Sequence, residues 1–111
     1  MKRDYKLFIN DIKESIARIE QYLGGVLEEQ FMKEEQVQDA VIRRLEIIGE
    51  ASKNIPRSLK EKNKQIPWDT LSMFRDFIAH TYYESSMKRV WKVCKEDMPK
   101  IKQGLEEIKL V

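Results

Sequence analysis

Apolar residues recur every three or four positions along most of this chain, and no stretch alternates as a half-buried strand would. Tyr5, Phe8, Ile9, Ile12, Ile16, Ile19 and Leu23 form the first such series, with Lys, Glu and Asp left on the opposite face. That period matches the 3.6-residue turn of a helix and gives each helix one greasy stripe, which must be covered by another. Gly24-Gly25 is predicted to end the first helix, because glycine takes the left-handed cap conformation cheaply. Val26 to Phe31 reads as a short connector or a single helical turn. A second long helix is predicted from Glu34 to Asn54, with Val37, Ala40, Val41, Leu45, Ile48 and Ala51 on one stripe that Ile42 and Ile47 widen. So wide a stripe suits a helix packed on more than one side, or one that also faces a second subunit. Pro56 stops it.

Arg57 to Gln65 is polar and basic, and reads as a loop with room for one helical turn. Ile66-Pro67-Trp68-Asp69 is a helix start, since proline is tolerated in a first turn. Trp68, Leu71, Phe74 and Ile78 form the inner face of that third helix. Thr81 to Ser86 is predicted to be a break, with Ser85 or Ser86 capping the last helix. Met87, Val90, Trp91, Cys94, Met98, Ile101, Leu105 and Ile108 mark that helix, which Pro99 should kink or split. The fold class expected is all-α, an antiparallel bundle of four to five helices, with residues 1–111 as a single domain.

Charge narrows the partners. The formal net charge is only +2, so a polycationic nucleic-acid coat is excluded and any contact with RNA or DNA must come from a local patch. Cys94 is the only cysteine; it has neither a disulfide partner nor a CxxC mate for zinc, which fits a reducing cytoplasm. The run Met1-Lys2-Arg3-Asp4 does not open a signal peptide, and no apolar run approaches the ~20 residues of a membrane helix. The expectation is a cytoplasmic protein with no membrane segment, no metal and no cofactor.

Chemistry concentrates in Arg75-Asp76-Phe77-Ile78-Ala79-His80-Thr81-Tyr82-Tyr83, which holds the only histidine of the chain. Imidazole takes and gives protons near neutral pH, and guanidinium is a fixed fork of donors that fits a phosphate. Five positions separate Arg75 from His80, about 140° of rotation on an ideal helix, so the two would not share a face. They meet if the helix ends near Ala79 or His80 and the chain turns, or across a symmetric dimer; the dimer is the preferred arrangement. A histidine at a helix C-terminus is stabilised in its protonated form and can protonate a leaving oxygen. Arg75 would hold the non-bridging oxygens of a phosphodiester as charge builds on them. RNA carries its own nucleophile, the 2′-hydroxyl, so such cleavage needs no metal, whereas DNA is a poor substrate. Asp76 would orient the arginine, or the histidine of the second copy. The plainer alternatives are a structural histidine at a helix end, a surface salt bridge for Arg75, and a packing role for Tyr82. Lys88, Arg89, Lys92 and Lys95 are candidates for RNA backbone contacts, while Arg57 to Lys64 reads as a solvated loop. Cys94 reads as core; Trp68 and Trp91 read as core or dimer anchors.

The pattern Arg-x4-His-x-Tyr, entered from Ile66-Pro67-Trp68 and followed by Met87-Lys88-Arg89-Val90-Trp91, resembles the HEPN domain (higher eukaryotes and prokaryotes nucleotide-binding). The upstream run from Val37 to Ala51 and the Asp97-Met98-Pro99 break are similar to the HepT branch, the toxins of HepT–MntA toxin–antitoxin pairs. The resemblance implies a dimeric, metal-independent ribonuclease with Arg75 and His80 in the active site and Asp76 at the polar position after the arginine. It also implies a partner, an MntA-type nucleotidyltransferase antitoxin that moves AMP from ATP onto Tyr82 and silences the nuclease, with Tyr83 as the neighbouring aromatic. An alternative is a non-catalytic nucleotide- or substrate-binding subunit that completes a minimal nucleotidyltransferase; a plain helical interaction module is a third. The nuclease is preferred, because a pure binding partner does not require a histidine at that spacing.

Overall fold

Asp4 starts the first helix: its side chain accepts a hydrogen bond from the amide of Lys6 at 2.9 Å, satisfying one of the orphan donors of the first turn. Helix α1 then runs over Tyr5–Leu23 and buries Ile9, Ile12, Ile16, Ile19 and Leu23 on one side. The computed structural model describes residues 4–79 and 83–108, and among these the side chains of 76–79 and 83–85 lie outside the description. No strand occurs among the described residues, as the sequence period requires. Gly25, at φ 75°, supplies the left-handed residue after α1.

The next connection contains one helical turn, α2 over Glu28–Phe31. Gln30 reaches back to the amide of Leu27 at 2.9 Å. Phe31 is fully buried against Trp91, with ring centroids 5.3 Å apart, and its carbonyl accepts from the buried amide of Gln38 at 2.7 Å. That bond ties the connection to α3, Glu35–Lys53. Here the wide apolar stripe finds its explanation within one chain: α3 packs between α1 on one flank and α5 on the other. Val41, Leu45 and Ile48 are completely buried at the centre, while Val37, Ile42 and Ile47 are half-buried beside them.

Arg57–Lys62 forms a short helix, α4, six residues long and so somewhat more than the single turn allowed for in that polar segment. Arg57 lies 3.7 Å from Glu61 one turn on, Lys60 sits over the Trp68 ring at 5.9 Å, and the Trp68 indole donates to the Asn63 carbonyl at 3.0 Å. These contacts hold the polar segment to the start of α5, Trp68–Ala79. Ser52 on α3 meets Ser72 on α5 at 3.2 Å, and Gly49 lies against Leu71 and Arg75. Numbers fall on one helix as they rise on the other, so α3 and α5 are antiparallel. Tyr5 and Pro56 line one groove, which likewise places the start of α1 beside the end of α3.

The last helical path differs from expectation at its start. Helix α6 begins at Tyr83 and runs to Lys92, so Ser85 and Ser86 lie inside it rather than capping it. Just before Pro99 the path divides as expected, and the division takes the form of a π-helical turn over Val93–Asp97 that joins α6 to α7. The amide of Met98 bonds back to Val93, and Pro99 falls in the first turn of α7, Met98–Glu106, where no amide hydrogen is needed. Lys102 pairs with Glu20 at 3.2 Å and the Gln65 amide reaches the Gly104 carbonyl at 3.3 Å, fastening α7 to the rest. Among the described residues, no helix is long and apolar enough to cross a membrane.

One buried group is out of place. The hydroxyl of Ser15, in the middle of α1, is buried with no hydrogen-bond partner among the described residues. An unpaired hydroxyl costs about 1–3 kcal/mol. Ser15→Ala is therefore expected to raise Tm by roughly 4 °C or more, at ~4 °C per kcal/mol for a domain of this size. A thermal melt with Tm equal to or below that of the parent chain would show that the hydroxyl finds a partner.

Candidate functional site

Arg75 is positioned by a close approach of α5 to α3. A Cβ built on Gly49 would lie 3.1 Å from the Arg75 backbone nitrogen, 3.2 Å from its Cβ and 3.3 Å from the Leu71 carbonyl oxygen. A side chain there would crowd α5, so glycine suits the close approach of α3 and α5 at that point. Ser52 and Ser72 continue the close seam, the Ser52 hydroxyl also reaching the Gly49 carbonyl at 3.0 Å. Leu71 and Phe74 are buried inside α5, so Arg75 emerges at the edge where the inner face meets solvent.

There the guanidinium meets Glu50, with Nε 2.9 Å from Oε1. The two side chains are 54% and 53% exposed, so the pair is open to water and to any ligand arriving from solution. Glu50 is the only ion-pair partner of Arg75 among the described residues. A pair this exposed contributes about 0–1 kcal/mol to stability. Its geometric effect is larger: a carboxylate on the Nε edge leaves the end of the fork, where the two Nη groups lie, available to a second anion.

Arg75 is thus both the exposed cation and the member of a salt bridge that the sequence suggested as alternatives. Asp76 follows it on α5, one position and about 100° further round, with its side chain outside the description. His80 and Tyr82 also lie outside the described residues, as does the side chain of Tyr83 at the start of α6. Within the described residues the carboxylate against Arg75 is that of Glu50. Sequence reasoning missed it. Its signals were a place beside a glycine and inside the Val37–Ala51 run, neither of which singles out one residue, and an acidic residue on a helix edge looks like any solvated one.

The other candidates sort by contact. Lys88 and Lys92 are exposed on α6, while Lys95 is drawn over the Trp91 ring at 4.8 Å. Trp68 is buried and Trp91 half-buried. Burial pushes the Cys94 thiol up to about 12, against a smaller opposing pull from Lys95, so it stays neutral at physiological pH and behaves as core. A groove of about 690 Å³, bordered by Tyr5, Ser58, Lys62 and Glu107, includes neither Arg75 nor Glu50 in its lining.

Comparison with known proteins places the chain in a family. The model of the "Ribonuclease HepT-like" family matches residues 12–108, which takes in the whole Arg75–Tyr82 run. A Thermococcus cleftensis protein named "Probable ribonuclease HepT" is 41% identical over 109 residues, covering 98% of this chain and 99% of that one. A Methanocaldococcus jannaschii protein named "Gamma-glutamylcyclotransferase and putative RNase" is 42% identical over 108 residues. The match covers 97% of this chain but 49% of that relative, so the chain spans about half its length. No solved structure gives a significant match. With a family model over most of its length and a relative matched end to end, the chain belongs to the HepT-like ribonuclease family.

Proposed function

We propose that this chain is a metal-independent endoribonuclease toxin of the cytoplasm that cleaves RNA by internal transphosphorylation, with residues 1–111 acting as one domain. The observation that carries the reading is the family match, whose span, residues 12–108, includes Arg75, Asp76, His80 and Tyr82. The exposure of Arg75, with one edge of its guanidinium against Glu50, supports it.

In this reading the 2′-oxygen attacks the adjacent phosphorus and the bond from phosphorus to the 5′-oxygen breaks. The products are a 2′,3′-cyclic phosphate and a 5′-hydroxyl end. Arg75 stabilises the non-bridging oxygens as negative charge grows on them. His80 in its protonated form gives a proton to the leaving 5′-oxygen; a neutral imidazole, from the second copy of a homodimer, accepts the one lost by the 2′-hydroxyl. The five-position spacing from Arg75 to His80 favours a cleft built by two copies. Asp76 assists by orienting one of these groups. Control comes from an MntA-type nucleotidyltransferase: the Tyr82 phenol oxygen attacks the α-phosphorus of ATP, pyrophosphate leaves, and the attached AMP fills the cleft and repels RNA.

The test is incubation of the purified chain with total RNA in excess chelator. Fragments carrying cyclic phosphate and 5′-hydroxyl ends are expected, and RNA methylated at its 2′-oxygens should survive. Intact RNA, or cleavage only after magnesium is restored, would overturn the reading.

A further inference from the structure

We infer that Glu50 is a positioning residue that aims Arg75 at the RNA phosphate, an inference that rests on the ribonuclease reading above. Both members are rooted on helices whose backbones touch: Gly49, the residue before Glu50, meets the backbone nitrogen and Cβ of Arg75. Their Cα positions are therefore fixed by the fold, and the Nε to Oε1 contact of 2.9 Å fixes the far end of a side chain that otherwise has many rotamers. A guanidinium held on its Nε edge presents its two Nη groups outward as a pair, the arrangement that grips two oxygens of one phosphate.

Stability does not explain the carboxylate, since both partners are about half exposed and such pairs contribute little. Binding does not explain it either, since a negative charge beside the cleft opposes the RNA backbone. What the carboxylate can add is orientation, and orientation acts on the reacting geometry more than on affinity. The signature is thus a split between the two kinetic constants. Removing the carboxylate should slow the chemical step and tighten substrate binding together.

The experiment measures kcat and KM on a defined RNA oligonucleotide in chelator for the wild-type chain, Glu50→Ala, Glu50→Gln and Arg75→Ala. Glu50→Ala is expected to lower kcat about tenfold and to lower KM as well, with Tm unchanged. Glu50→Gln keeps an oxygen that can face Nε, and should recover kcat to within about threefold of wild type. Wild-type kcat in Glu50→Ala overturns the role, and so does a rise in kcat in either variant, which would mean that the carboxylate restrains Arg75 instead. A wild-type chain that cuts no RNA overturns the ribonuclease reading and this role with it. Cleavage that depends on Arg75 but not on Glu50 overturns only the latter.

Discussion

Arg75→Ala and His80→Ala should each slow RNA cleavage by at least about a hundredfold, with the helical content of the chain unchanged. The size follows from the work assigned to each group. Removing one preorganised donor to a developing oxyanion costs about 10²–10³ in rate, and loss of a general acid costs about 10²–10⁴. Arg75 is a favourable site for this test, because its side chain is half exposed and contacts a partner, Glu50, that stays solvated when left alone. Its removal opens no cavity. Circular dichroism checks the fold and gel analysis of a labelled RNA checks the rate. Near-wild-type cleavage by either variant in chelator would take that residue out of the mechanism.

The second large effect is on stability. Gly49→Val should lower Tm by roughly 10 °C or more. The new Cβ would meet the Arg75 amide nitrogen at 3.1 Å and the Leu71 carbonyl oxygen at 3.3 Å, both backbone atoms that cannot turn aside. Two further methyl groups then have to fit between α3 and α5, and overpacking of that kind costs about 1–3 kcal/mol. Gly49→Ala is a milder case, because the better helix propensity of alanine, worth about 1 kcal/mol, offsets part of the crowding. Thermal melts of the two variants measure both. A valine variant as stable as the parent would mean that α3 and α5 part without penalty.

Periodicity alone was enough to place α1, α3 and α5 and to name buried residues on each, Trp68, Leu71 and Phe74 for α5, while the side chain of Ile78 lies outside the described residues. Contacts between helices were not legible in this way. Glu50 and Arg75 are 25 positions apart, and nothing local to either residue announces the other. The same holds for Gly49, whose need to be small comes from the backbone of α5. The broad stripe of α3 allowed two explanations, a second neighbour or a second subunit, and the packing of α1 and α5 on its flanks accounts for it within one chain. Short-range rules failed where tertiary contacts overrode them. The basic stretch after Pro56 is helical because Trp68 and Asn63 anchor it, and Ser86 is buried in a helix instead of capping one. For His80, Asp76 and Tyr82 the sequence motif and the family match remain the grounds for their assignment.

The π turn before Pro99 reaches beyond the proline itself. An extra residue in a single turn delays the angular advance of a helix by about a quarter of a revolution. The rod from Tyr83 to Glu106 is therefore two differently phased halves joined end to end. One half carries Trp91 to Phe31, at the end of α2; the other carries Lys102 to Glu20, on α1. An uninterrupted α-helix would present a single straight seam along its length. By changing phase once, this one turns a different face to each of two walls, and a single chain segment closes the bundle on both.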